Sequence, residues 1–104
     1  MATKSRLNVE VRDTETEIIE STKTVTSEER IFGVGNKDKE MIATVWGSND
    51  EENWEQVESK TVGPGSYENI IMGNNHWFHV KLTGRTSITG EVSIVDGYLT
   101  YTIP

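Results

Sequence analysis

The sequence predicts an all-β protein, an antiparallel β-sandwich of jelly-roll-like type with roughly seven to nine strands. Three observations predict it. Turn signals recur at intervals of about 8–12 residues, the spacing of a sandwich or barrel. The apolar residues are mainly Val and Ile with abundant Thr, and Pro occurs only twice; branched β-carbons suit a pleated sheet and lose rotamer freedom in a helix. No segment repeats its apolar residues at helical spacing.

Leu7, Val9 and Val11 alternate with polar residues and open the chain as a short strand. From Arg12 to Arg30, threonines interleave with Glu and Lys, and only Ile18, Ile19 and Val25 are strongly apolar. Such a segment prefers an extended backbone but buries little by itself. Residues 1–30 are therefore expected to form an edge hairpin or an N-terminal arm on a single domain spanning 1–104, anchored at a subunit contact by Ile18, Ile19 and Val25.

Ile31–Val34 is a short strand, stopped by the turn sequence Gly35-Asn36-Lys37-Asp38-Lys39. The Met41–Val45 strand, the Gly47-Ser48-Asn49-Asp50 turn cluster and Trp54 read as one β-hairpin, with Glu55–Val62 as its return arm. Gly63-Pro64-Gly65 breaks the chain before a short strand at Tyr67–Ile71. Phe78, Val80 and Leu82 alternate with Trp77, His79 and Lys81, which predicts a strand over His76–Leu82. Ser87–Val95 and Tyr98–Ile103 complete the set, joined by Asp96-Gly97 as a type I′ turn or as a bulge within one long strand. The expected core comprises Ala43, Val45, Val57, Phe78, Val80, Leu82, Val92, Ile94 and Leu99, capped by Trp54.

Composition narrows the function classes. The 104 residues carry a net charge of −7, which disfavours binding to a phosphate backbone. Cysteine is absent, so disulfides and thiolate chemistry are unavailable to these residues. No run suits a signal peptide or a bilayer span, and the expectation is a chain made in a cytoplasm with no membrane contact.

Candidate sites are few. His76 and His79 stand three apart, on opposite faces of a strand, and do not converge on one ion. Asp50, Glu51 and Glu52 match no Ca²⁺ loop and are read as surface charges, so no metal and no cofactor is expected. No nucleophile has an evident base beside it, and no catalytic residue is assigned. Trp77, with His79 on the same strand face, suits a subunit contact; Trp77 and Tyr67 are the alternative platforms for stacking a sugar.

The stretch Gly47-Ser48-Asn49-Asp50…Trp54, with Val57 and Thr61-Val62-Gly63-Pro64-Gly65, resembles a pattern in small phage- and prophage-associated β-sandwich domains. The loop is also similar to one in discoidin-type carbohydrate-binding domains. This chain departs from both in placing Glu51-Glu52 where they commonly have Gly. The phage resemblance implies a non-enzymatic structural protein of a virus particle, a capsid decoration, neck or tail component. Its partners would be copies of itself and other virion proteins, with assembly into the virion after synthesis in the host cytoplasm. The discoidin resemblance implies instead a carbohydrate-binding or adhesion module.

Overall fold

The computed structural model describes all 104 residues. Eight strands follow in order: β1 (Ala2–Val11), β2 (Thr16–Lys23), β3 (Arg30–Asn36), β4 (Met41–Ser48), β5 (Glu55–Val62), β6 (Tyr67–Met72), β7 (His79–Thr86) and β8 (Ser93–Tyr101). They form two four-stranded antiparallel sheets, β1-β8-β3-β6 and β2-β7-β4-β5. Successive strands mostly change sheet, and the two orders interlock as the pair of Greek keys that makes a jelly roll.

The core lies between the sheets. Val9, Val11, Ile18, Ile19, Phe32, Val34, Met41, Ala43, Val45, Val62, Ile70, Met72, Val80, Leu82, Val95 and Leu99 form one buried cluster. One apolar face per strand is enough to fill a gap of about 10 Å between sheets. Asn36 closes one end of the sandwich. Its Nδ2 donates to the Val62 carbonyl at 2.9 Å and the Lys39 carbonyl at 2.7 Å, while Oδ1 accepts from Ser93 Oγ at 2.5 Å. A buried polar pair with its hydrogen bonds made is tolerated and holds four strand ends in place.

Several expectations are corrected. Residues 1–30 form neither an arm nor a hairpin: β1 pairs with β8 and β2 with β7, at the edges of opposite sheets. Pairing irregularities at Glu17/Ile19 and Ile19/Thr22 accompany the burial of both Ile18 and Ile19, adjacent residues that a regular strand would send to opposite faces. Asp96-Gly97 is neither a turn nor a bulge of β8, which runs through both residues in unbroken register with β3. The bulge lies across from it in β1. Asn8 takes φ 56°, its amide donates to Asp96 Oδ1 at 2.8 Å, and its side-chain oxygen accepts from Lys37 Nζ at 2.6 Å.

Four expected core residues sit elsewhere. Val57 is 39% exposed on the edge strand β5, and Phe78 is 47% exposed in the turn before β7. Val92 precedes β8, and Ile94 sits out of step with its inward side chains, Ser93, Val95, Gly97 and Leu99; both are only half-buried. Trp54 does not cap the core. It lies outside the β2-β7-β4-β5 sheet with Lys81 Nζ 4.2 Å from its ring centroid.

Candidate functional site

Three regions of this frame hold side chains that could act on something else: one loop end and the two outer sheet faces.

At the loop end, Arg30 is buried at the start of β3. Its guanidinium donates to the carbonyls of Trp77 and Gly73, each at 2.7 Å, to Asn75 Oδ1 at 2.7 Å and to Thr24 Oγ1 at 3.2 Å. Burial lowers its pKa from the usual value, yet a guanidinium remains charged in a protein. All four acceptors are neutral, so Arg30 works as a staple between the loop after β2 and the loop before β7. Nothing in the sequence marks it apart from other arginines.

The hairpin between β4 and β5 borders this end. Asp50 accepts from the amides of Glu52 at 2.9 Å and Asn53 at 2.8 Å, from Asn53 Nδ2 at 2.7 Å and from Ser48 Oγ at 3.0 Å. Backbone hydrogen bonds from Asn53 and Glu52 hold its pKa far below the ordinary carboxylate range, helped by the Asn53 and Ser48 side chains. Its oxygens are thus engaged by the turn itself. Glu51 takes a φ of 61°, in the left-handed region that favours the glycine usual in similar loops. Its carboxylate accepts from Ser21 Oγ at 2.7 Å and lies 3.6 Å from His79 Nδ1. The carboxylate separates the serine from the imidazole, and no hydrogen bond joins Ser21 to His79.

The expected contact residues scatter. Ile18 and Ile19 belong to the core, so they hold the subunit together and are not surface anchors. Val25 is half-buried in the loop after β2. Trp77 packs against the core, with its ring over Gly47 on one side and His76 tilted at 4.1 Å between centroids. His79 faces Glu51. These neighbours leave Trp77 poorly placed to stack on a sugar. Tyr67 is the exposed one of the set, at 54%.

Tyr67 belongs to a patch on the outer face of β6-β3-β8. Cross-strand pairing sets Ile31 beside Ile71, Gly33 beside Tyr98 and Gly35 beside Tyr67. The Tyr67 ring lies over Gly33 and Gly35, where a β-carbon at Gly33 would overlap it, and it meets Tyr98 at 6.2 Å between centroids. Ile71 is 57% exposed.

The outer face of the other sheet is different in kind. Trp46 Nε1 donates to Thr83 Oγ1 at 2.8 Å, and that hydroxyl donates to Glu15 Oε1 at 2.5 Å. Trp46 follows the outward phase of Ile42 and Thr44, a signal available in the alternation of β4.

No family model matches the chain, and no curated protein matches it. Solved structures share its fold. The crystal structure of PirA superposes with a TM-score of 0.64 at 16% identity, over 96% of this chain and 93% of that one. A structure from Bacillus endospore appendages, described as a family of disulfide-linked pili, superposes with a TM-score of 0.57 at 14% identity, over 99% of this chain and 88% of that one. At such identities the likeness is one of fold.

Proposed function

We propose that this chain is a non-enzymatic structural subunit, building a particle or filament through contacts with copies of itself and with other proteins of that assembly. The observation that carries the reading is the patch of Ile31, Ile71, Tyr67 and Tyr98, flattened by Gly33 and Gly35. Exposed Tyr67 and Ile71 with half-buried Tyr98 and Ile31, bordered on the same face by Asn69 and Asp96, have the apolar centre and polar rim of an interface. In the one cluster with a catalytic cast, the Ser21 hydroxyl donates to the exposed Glu51 carboxylate and has no hydrogen bond to His79, so the imidazole is not positioned as its base. The pilus-forming neighbour supports assembly as a use of this fold. With no cysteine, these 104 residues cannot form the disulfide links named for that pilus. A virus particle, as decoration, neck or tail component, is the finer form of the proposal, with the chain folding in the host cytoplasm before it joins the particle.

Sedimentation velocity and negative-stain microscopy of the purified chain test this. Self-association is expected with increasing concentration, and Tyr67→Lys with Ile71→Lys should abolish it while leaving the circular dichroism spectrum unchanged. A wild-type chain that stays monomeric at the highest attainable concentration, and binds no product of neighbouring reading frames, overturns the reading. Capsid, portal or tail genes beside this one would support the virion form.

A further inference from the structure

We propose that the outer face of the β2-β7-β4-β5 sheet is a binding groove for a neutral oligosaccharide. Two open hollows, about 360 and 430 Å³, lie side by side on this face and share Glu15, Trp46 and Thr83 as their common wall. Each falls at the small end of the roughly 300–1,000 Å³ typical of ligand sites. Trp46 stands between them, so its indole borders both.

The wall is held in place before any ligand arrives. The relay from Trp46 Nε1 to Thr83 Oγ1 and on to Glu15 Oε1 fixes the ring and orients the hydroxyl and carboxylate beside it. Lys81 is held over the Trp54 ring at 4.2 Å by a cation–π contact, which sets the far wall of the larger hollow. An aromatic surface immobilised in this way loses little freedom on binding.

The lining identifies the ligand class. The smaller hollow is bordered by Thr44, Gln56 and Ser59, small hydroxyl and amide groups at which sugar hydroxyls can both donate and accept. The larger adds Glu17 and Lys81. Across the two hollows, Glu15 and Glu17 offset Lys81 and Arg85, so the groove is balanced inside a chain of net charge −7. That balance favours a neutral ligand over a polyanion. A peptide strand would need an unpaired sheet edge; Trp46 and Thr83 lie on β4 and β7, the two inner strands of this sheet. The groove is on the opposite sheet from the assembly patch and does not rest on that reading.

Amide-resolved NMR titration and calorimetry on the full chain test the site, using cellohexaose, chitohexaose, maltohexaose and laminarihexaose, with hexagalacturonate as the anionic comparison. At least one neutral hexaose is expected to shift the Trp46 indole N–H and the Thr83 and Gln56 amides. Its affinity should fall on the order of tenfold in Trp46→Ala, as when an aromatic anchor is truncated, and stay unchanged in Tyr67→Ala. If Trp46→Ala does not fold, Glu17→Ala and Gln56→Ala, both exposed and one in each hollow, decide the matter by weakening binding. No shift with any neutral hexaose, binding of hexagalacturonate alone, or affinity indifferent to all three substitutions overturns the proposal.

Discussion

The indole of Trp77 lies directly against the backbone of Gly47, so close that a β-carbon at that position would overlap the ring. Gly47 is the residue of β4 that lets the loop before β7 fold down onto the sandwich. Gly47→Ala is expected to destabilise the chain by about 1–3 kcal/mol, the usual range for overpacking. A double-mutant cycle by chemical denaturation checks it: in a Trp77→Ala background the alanine should be nearly harmless. An equal penalty in both backgrounds would show that the ring is not the cause.

Removal of Arg30 should be among the most damaging single changes. Arg30→Ala leaves the Trp77 and Gly73 carbonyls and Asn75 without their charged donor. The expected loss is about 3 kcal/mol or more, read from urea unfolding. Arg30→Lys should recover part of it, since an ammonium reaches fewer of the acceptors. A mild Arg30→Ala would mean that the two loops hold together without the staple.

The hairpin at Asp50 predicts an acid-side signature. Its folded-state pKa lies below the unfolded value of 3.8. The stabilisation is therefore fully present above that value and is lost as pH falls through the folded pKa. Wild type should lose stability below pH 3.8 more steeply than Asp50→Ala, in which this carboxylate contributes nothing. Carbon-detected NMR should place the Asp50 titration midpoint below the ordinary aspartate value of 3.8. A normal titration midpoint would refute the arrangement.

Deleting residues 1–28 should unfold the domain rather than trim it. The deletion takes β1 and β2, an edge strand from each sheet, and with them Val9, Val11, Ile18 and Ile19 from the core. Each such side chain contributes roughly 1.5–3 kcal/mol by burial, against a total stability of about 5–15 kcal/mol for a domain. A truncated chain with a cooperative thermal transition and dispersed NMR spectrum would contradict this.

Much of the architecture was legible because half-buried strands alternate. Ala43 and Val45, or Val80 and Leu82, announce their phase directly. Elsewhere the phase is hidden by residues whose type misstates their position. In β8 the inward set includes Ser93, buried by its bond to Asn36, and Gly97, against which Ile18 packs, while apolar Ile94 faces outward. Val57 is skipped in the ladder, where Val45 faces Glu58 and Trp46 faces Gln56, and it stands out of phase with the buried Val62. The Thr-rich N-terminal segment reads as one that buries little by itself, an edge hairpin or arm. Irregular pairing turns both isoleucines inward, and Thr22 and Thr24 are buried with them. The candidate surfaces were less legible still: a glycine floor under Tyr67, or a shared wall at Trp46, exists only once strands distant in the chain are laid side by side.

The pairing of β1 with β8 also governs how the chain must reach its native state. The Asn8 amide and the Asp96 carboxylate that pin this ladder are 88 positions apart. Loop-closure entropy must be overcome before so distant a contact returns any free energy, which places jelly-roll chains among slow folders. Until β8 arrives, β1 is an unpaired ribbon with its backbone donors and acceptors open to any other strand. The strongly charged, threonine-rich sequence of the first thirty residues then acquires a second meaning: it keeps the early chain soluble while it waits.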